Sequence, residues 1–299
     1  MQIDVHQHLW PAPFLAALRG RHNAPRLDGW DLHLPGQPTY RVDPRHHDVE
    51  ARAAQALADG DTVVCVAPSA ALGLDRLPAT EAEELVAAWL EGALALPPPF
   101  RAFAMPTTPR VLEHALASGA IGLEVGADLL AARGGLERLA PLLALLDSAG
   151  RPLLVHPGPP GIEEASGRPD WWAPVVPYVA QLNAAWWAWA EGGRERFPGL
   201  PVCFAALAGL GPLHGERQRA RGGAAGKVDG LTFVETSTYG TLAVDAVVRV
   251  LGIDVVCHGS DRPYAAPVQP RLGSEAALKA IRSTNPGRLL AHVPQEANA

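Results

Sequence analysis

The segment Gln2–Leu9, QIDVHQHL, is an apolar run that ends in two histidines. It is the first of several short segments in which apolar residues occupy consecutive positions. Strands that are buried on both faces, as in a parallel sheet, have this pattern. We therefore predict eight strands: Gln2–Leu9, Thr62–Ala67, Arg101–Met105, Ile121–Val125, Pro152–His156, Val202–Leu207, Leu231–Thr236 and Asp254–His258.

Helical patterns, with apolar residues three and four positions apart, separate these strands. Strict alternation of strands and helices indicates βαβ crossovers, and eight such units fit a (β/α)₈ TIM barrel. We expect an α/β fold with one barrel domain over 1–299. A doubly wound open sheet is the alternative, but no Gly-x-Gly-x-x-Gly motif follows the first strand. The predicted helices are Asp43–Ala58, Ala79–Leu96, Pro109–Ser118, Gly135–Ala149, Trp171–Glu195, Pro212–Arg221, Leu242–Leu251 and Ser274–Thr284.

Two segments depart from the repeat and should distort the barrel. Trp10–Arg41 and Pro157–Asp170 are long and rich in proline and glycine. Loops of this length in a compact domain are usually functional or disordered. Both follow the carboxyl ends of strands, one and five, where barrels carry their active sites. We expect the first loop to cover a substrate.

Composition restricts the partners. The net charge is −6 and the sequence has no Lys/Arg cluster, which argues against a nucleic-acid surface. No apolar run reaches the roughly 18 residues of a membrane span. Cys65, Cys203 and Cys257 lie in apolar runs without a Cys-x-x-Cys spacing, which is typical of a reducing compartment. Because no signal-like segment precedes the first strand, we expect a cytoplasmic protein.

The chemistry-bearing residues lie at strand ends. His6 and His8 share one face of a strand, since alternate side chains point the same way. His156 ends the fifth predicted strand and Asp261 follows the eighth. Each alone has an ordinary structural explanation, but together they place three imidazoles and one carboxylate at one rim of a barrel. These donors suit Zn²⁺, with Fe²⁺, Mn²⁺ or Co²⁺ as alternatives.

Three matching pieces carry a resemblance to a known family: Asp4–His8, His156 and Gly259–Pro263. Their order and spacing resemble those of the amidohydrolase-related metal-dependent hydrolases, a family that includes aminocarboxymuconate semialdehyde decarboxylase. The resemblance covers most of the chain. It implies one divalent metal bound by His6, His8, His156 and Asp261, and either hydrolysis or non-oxidative decarboxylation.

The sequence departs from this family at the end of strand six. Members usually carry a histidine there that acts as an acid or base near the metal, whereas this chain has Ala205 or Ala206. Alanine cannot transfer a proton. We consider Asp261, Glu124 and His258 as catalytic replacements. A carboxylate in an apolar strand, such as Glu124, is costly to bury unless it is paired or bound to a metal, and a salt bridge to an arginine is its alternative explanation.

Other residues are candidates for substrate contact or assembly. Trp10, Trp171 and Arg262 follow predicted strands, and we expect them to bind a small aromatic or apolar substrate. The tryptophans of Trp186–Trp189 favour a homodimer interface. Residues Glu235–Ser237 end strand seven and are candidates for hydrogen bonds that orient the ligand residues without contacting the metal. The ordinary polarity of a strand end explains them equally well.

Three functions remain open from the sequence. The main prediction is a metal-dependent hydrolase that acts on a small amide, lactone or cyclic C–N substrate through a metal-activated water, with Asp261 as the base. The first alternative is a non-oxidative decarboxylase of an aromatic or unsaturated carboxylic acid. The second is a barrel whose catalysis is altered or lost because Ala206 replaces the histidine.

Overall fold

The protein was analysed as a computed structural model that describes residues 1–161, 167–224, 229–266 and 268–294. Within these ranges, eight parallel strands alternate with helices and form two sheets. The parallel strands are β1 Ile3–His8, β5 Val63–Ala67, β6 Phe100–Ala102, β7 Leu123–Gly126, β8 Leu153–His156, β9 Val202–Phe204, β10 Thr232–Glu235 and β11 Val256–Cys257. One sheet has the order β1-β5-β6 and the other the order β11-β10-β9-β8-β7.

Backbone hydrogen bonds connect the edges of the two sheets on both sides. Between the β6 and β7 segments, the Ala104 amide donates to Gly122 O at 2.9 Å and the Ile121 amide donates to Ala102 O at 2.9 Å. Beyond β11, the Val5 amide of β1 donates to His258 O at 3.0 Å. The predicted alternation of parallel strands and helices is therefore confirmed. The strands form two separate hydrogen-bonded ladders, and the bonds described here connect the edges of those ladders.

Alternate residues of the parallel strands build the interior core. Ile3, Phe103, Leu154, Phe233 and Cys257 belong to one buried cluster to which both sheets contribute. The intervening strand residues pack outward against the helices. Strands with two apolar faces need this double cover, which accounts for their consecutive apolar residues.

Side chains cap the N-termini of some helices. Asp48 accepts from the Ala51 amide at the start of α2, and Thr108 caps α4 ahead of Pro109, as expected for N-cap residues. None of the helices in the described ranges combines the length and apolarity needed to cross a membrane. The helices are α1 Ala12–Gly20, α2 Val49–Ala58, α3 Ala79–Ala93, α4 Pro109–Ala117, α5 Ala127–Ala131, α6 Gly135–Ala149, α7 Trp172–Val175, α8 Pro177–Ala188, α9 Arg194–Arg196, α10 Gly215–Ala220, α11 Thr241–Leu251, α12 Glu275–Lys279 and α13 Asn285–Leu289.

The segment Trp10–Arg41, predicted as a loop, has regular structure. It contains α1 and a small antiparallel sheet of β2 Arg26–Asp28, β3 Asp31–His33 and β4 Tyr40–Arg41. These strands are two or three residues long, too short to produce a readable alternation of polar and apolar residues. Residues of the segment pack in one buried cluster with residues of β5 and α3, so tertiary packing orders it.

The helix predicted over Trp171–Glu195 is divided. It consists of α7, α8, a π-helical turn over Trp189–Gly193, and α9. Prolines interrupt it because a proline inside a helix removes a hydrogen bond and clashes with the preceding turn. In the loop Pro157–Asp170 before it, residues 162–166 lie outside the described residues.

The chain leaves β9 through a left-handed turn. The φ angles of Ala206, Leu207, Ala208 and Leu210 lie between 45° and 60°. For residues other than glycine this conformation costs roughly 1–2 kcal/mol each. At Gly209 a side chain would be excluded, because a Cβ there would lie 2.3 Å from Val179 O of α8. The following helix, predicted from Pro212, begins only at Gly215.

Candidate metal centre

Four side chains from three strand ends converge at the carboxyl rim of the strands. His6, His8, His156 and Asp261, here called the metal group, each offer one ligand atom, and these atoms lie within 4.8 Å of one another. His8 Nε2 lies 3.1 Å from His6 Nε2 and 3.2 Å from Asp261 Oδ1. The three imidazoles are buried and Asp261 is partly exposed. The structure thus brings together the four residues that were predicted as metal ligands.

A register irregularity in β1 lets both of its histidines reach this site. Ile3 and Val5 belong to the interior core, so strict alternation would direct His6 and His8 to the outer face of the sheet. The pairing of β1 with β5 shifts by one residue between Asp4 and Gln7. Such a β-bulge re-aims the side chains beyond it.

In each of the three imidazoles, the outer nitrogen, Nδ1, faces an oxygen acceptor on the side away from the other ligand atoms. An acceptor at Nδ1 requires a proton there, which leaves the lone pair on Nε2. The three Nε2 atoms are therefore the ligand atoms available to a metal, the arrangement that outer hydrogen bonds impose in metal sites. The acceptors are Glu235 Oε1 at 3.1 Å from His6 Nδ1, Ala67 O at 3.0 Å from His8 Nδ1, and Pro157 O at 2.9 Å from His156 Nδ1.

The electrostatics of the metal-free group reflect these partners. Burial lowers the pKa of His6, but the hydrogen bond and charge of Glu235 outweigh it and raise the pKa to about 9. Burial raises the pKa of Asp261, while the hydrogen bond from His8 and the charge of His6 hold it below its usual value. The pKa of His156 lies well below its ordinary value because of burial and the neighbouring imidazoles. Three nitrogens and one carboxylate oxygen are typical donors for a divalent cation, which would have to displace the proton that His6 carries near neutral pH.

Glu124 points into the same site from β7. Its Oε1 lies 3.8 Å from His156 Nδ1 and accepts from the Ala70 amide at 3.1 Å. The side chain is buried, and burial raises its pKa despite the nearby histidines. No salt bridge to an arginine is found for this carboxylate among the described residues, in contrast to the alternative explanation from the sequence.

Glu235, the last residue of β10, lies on the outer side of His6. This fully buried carboxylate accepts from the Ala206 amide at 2.6 Å and from the Ser237 amide at 2.6 Å, in addition to its contact with His6. At the end of strand six, the backbone of Ala206 therefore contacts the same carboxylate as His6, a candidate metal ligand. The sequence marked Glu235 only as one of several polar strand-end residues.

His258 does not join the metal group. Because Cys257 faces the interior core, alternation directs His258 to the outer face of the sheet. There it forms a second buried cluster with Asp4 and Asp61, here called the Asp4 group, with His258 Nε2 3.8 Å from Asp4 Oδ2. His258, considered from the sequence as a catalytic replacement, therefore lies in a different cluster from the metal group.

Trp10 is buried beside the site. Its indole has no exposed surface and stacks on the His47 ring at 4.4 Å between centroids. Its amide donates to His47 Nδ1 at 3.0 Å and its Nε1 donates to Pro68 O at 2.9 Å. Trp10 therefore anchors the first loop to the strand ends in this structure.

The other two predicted substrate contacts lie differently. Trp171 is 57 % exposed and contacts Trp172 at 5.7 Å between ring centroids. Arg262 donates from NH2 to Asp59 Oδ2 at 2.8 Å, at the end of α2. The guanidinium group is thus paired with a carboxylate outside the metal group.

Sequence reasoning missed Tyr264, which contacts the metal group, and two further tyrosines near it, Tyr40 and Tyr178. The Tyr264 ring lies 5.2 Å from the His8 ring and 6.5 Å from the Tyr40 ring. Tyr178, in the first turn of α8, has a pKa raised to about 12 by burial and by the charge of Asp261. All three are spaced too irregularly along the sequence to form a pattern.

Comparison with known proteins shows what the chain resembles. No protein-family model and no curated protein matches the sequence. Among solved structures, 5-carboxyvanillate decarboxylase from Sphingomonas paucimobilis matches with a TM-score of 0.77 and 16% identity, over 97% of this chain and 98% of that chain. The same enzyme from Novosphingobium aromaticivorans, complexed with manganese and 4-hydroxy-3-methoxy-5-nitrobenzoic acid, matches with a TM-score of 0.71 and 17% identity, over 97% and 96%.

A third match has a different reaction. It is 4-oxalomesaconate hydratase from Rhodopseudomonas palustris, with a TM-score of 0.69 and 16% identity, over 98% of this chain and 96% of that chain. Identities this low establish a shared fold over nearly the whole chain. The predicted α/β fold with parallel strands is therefore confirmed.

Proposed function

We propose that this protein is a divalent-metal-dependent enzyme that removes carbon dioxide, without oxidation, from a small aromatic or unsaturated carboxylic acid. The observation that carries the proposal is the metal group on a fold shared with decarboxylases of aromatic acids. This reverses the order of the functions predicted from the sequence, where hydrolysis came first. A bound metal would supply Lewis-acid polarisation of a substrate oxygen.

The protein residues have distinct roles in this proposal. His6, His8 and His156 hold the cation through Nε2, and Asp261 completes the set of ligands. Decarboxylation leaves an electron pair on carbon that must receive a proton. Asp261, Glu124 and Glu235 are the carboxyl groups of the described residues that lie against the imidazoles of the metal group. Glu235 accepts from two backbone amides on the outer side of His6, so Asp261 or Glu124 is the group that we propose to supply this proton in place of the missing histidine.

The tyrosines support an oxygenated aromatic substrate. Burial raises the pKa of both Tyr178 and Tyr264, so their hydroxyl groups remain protonated near neutral pH and can donate hydrogen bonds. Aromatic side chains with a few polar groups are typical of pockets for small ring compounds. We therefore place a phenolic acid ahead of an apolar acid. Trp10 and Trp171 are weaker candidates for substrate contact than the sequence suggested.

Release of carbon dioxide tests the function. Purified protein would be stripped with a chelator, reloaded separately with Zn²⁺, Mn²⁺, Co²⁺ or Fe²⁺, and incubated with a panel of carboxylated phenols. We expect metal-dependent release of carbon dioxide, which His156→Ala abolishes. Zn²⁺ remains the metal that we propose. Stoichiometric metal binding without release from any acid of the panel would overturn the decarboxylase proposal.

Hydrolysis is the second candidate, favoured by the alanine at the end of strand six. A hydrolase needs a metal-activated water and a base, and Asp261 can be that base without a separate donor to carbon. Ring opening of lactones, followed as proton release, or of lactams, followed as the new amine, would support this function. Metal binding with neither reaction would support the altered or lost catalysis considered above.

A further inference from the structure

Asp4 connects the two chain segments that carry metal ligands. Its Oδ1 accepts from the His6 amide at 3.1 Å and from the Ser260 amide at 3.1 Å. His6 lies in β1, whereas Ser260 precedes Asp261 beyond β11. One carboxylate oxygen therefore holds together the backbones next to ligands that are more than 250 positions apart in the sequence.

The second oxygen of Asp4 continues the connection to His8. Asp4 Oδ2 accepts from Gln7 Nε2 at 2.8 Å, and Gln7 Oε1 accepts from Arg52 NH2 at 2.5 Å. Arg52 NH1 in turn donates to His8 O at 2.9 Å. The Gln7 amide has one possible orientation here, because its NH₂ group must face the carboxylate and its oxygen must face the guanidinium group.

All of these groups are buried: Asp4 has no exposed surface, Gln7 is 2% exposed and Arg52 is 7% exposed. The connected atoms bracket the register irregularity of β1 between Asp4 and Gln7. That irregularity is what directs His6 and His8 inward. A satisfied buried network of this kind specifies one local conformation.

We infer that Asp4, acting through Gln7 and Arg52, is a positioning residue for the metal group: it holds the β1 bulge and the Asp261 segment in the geometry that binds a cation. The inference rests on the proposed metal-dependent function. Asp4 is not itself a ligand, since its oxygens are occupied by two amides and the Gln7 side chain. Residues that orient ligands in this way typically contribute 10–100-fold to metal affinity.

Three variants of the full chain test the inference by competition with a chromophoric zinc chelator. Asp4→Asn turns an amide NH₂ toward the Gln7 NH₂ group, and Gln7→Glu places a second carboxylate against Asp4. We expect each to weaken Zn²⁺ binding by roughly 10–100-fold. The double variant, Asp4→Asn with Gln7→Glu, restores a donor and an acceptor at this contact, keeps the acceptor for Arg52 and keeps the total charge. It should therefore recover most of the wild-type affinity.

Asp28→Asn is the matched control. It makes the same chemical change as Asp4→Asn, but at an aspartate that is 74% exposed and lies away from the site. Unchanged affinity in both single variants, or a double variant no better than the singles, would overturn the positioning role. If Asp4→Asn does not fold, the comparison of Gln7→Glu with the double variant decides in the same way. Absence of Zn²⁺ binding by the wild-type protein would instead refute the proposed function.

Discussion

The metal group and the Asp4 group lie on opposite faces of β1, and both are buried clusters of histidine and aspartate. In the metal group, protein acceptors take each outer histidine nitrogen and leave the inner nitrogens directed toward one point. In the Asp4 group, protein donors already occupy the carboxylates. Asp4 accepts from two amides and from Gln7, and Asp61 accepts from Arg282 at 2.9 Å.

The difference shows how to distinguish a ligand site from a structural network of the same composition. A buried polar group requires a partner. Where the protein supplies all the partners, the cluster stabilises the fold. Where it supplies donors and acceptors only on the outer side, the inner side is available to a cation. The following predictions test this distinction, from the largest expected effect to the smallest.

His156→Ala should abolish Zn²⁺ binding at micromolar metal. The change removes one of three imidazole ligands and leaves the others on a single strand. Isothermal titration calorimetry of the chelator-treated protein measures the effect. Retention of wild-type affinity would show that the cation binds elsewhere, and the Asp4 group would be the next place to examine.

Zn²⁺ should stabilise the folded wild-type protein. Metal at 100 times its Kd contributes about 2.7 kcal/mol, which corresponds to a Tm increase of roughly 4 °C for a chain of 299 residues. Differential scanning calorimetry with and without metal gives the shift. His156→Ala serves as the control, and an equal shift in that variant would contradict the assignment.

Glu235→Gln should weaken Zn²⁺ binding by roughly 10–100-fold, or about 1.4–2.7 kcal/mol. The amide is nearly isosteric, but it removes the negative charge that Glu235 places against His6 Nδ1 at 3.1 Å. Chelator competition measures the affinity. If the affinity is unchanged, the Glu235–His6 contact serves the fold alone.

Asp61→Asn should leave Zn²⁺ affinity within about twofold, because its contacts do not include a ligand of the metal group. Loss of the carboxylate weakens the pairing of Arg282, and we expect the free energy of unfolding to fall by about 1–3 kcal/mol. Urea denaturation with parallel metal titration separates the two quantities. A marked loss of metal affinity at unchanged stability would erase the distinction between the two groups.

Much of the architecture could be predicted from the sequence, because the relevant signals are local. The apolar runs ending at His8 and His156 and the three- and four-residue periodicity between strands depend only on neighbouring residues. The first loop could not be predicted, since its strands are too short to carry a pattern. The left-handed turn at Ala206–Leu210 could not be predicted either, because residues other than glycine rarely adopt it.

The sequence by itself determined which residue types lie at the strand ends, and hence that His6, His8, His156 and Asp261 form a candidate metal site. Only the tertiary structure decided which face of its strand each side chain occupies and which residue forms a hydrogen bond with it from outside the site. A one-residue shift in β1 turns His6 inward, and alternation from Cys257 turns His258 outward. Glu235 reaches His6 across 229 positions of sequence. Such contacts depend on strand register and packing, which local patterns do not encode.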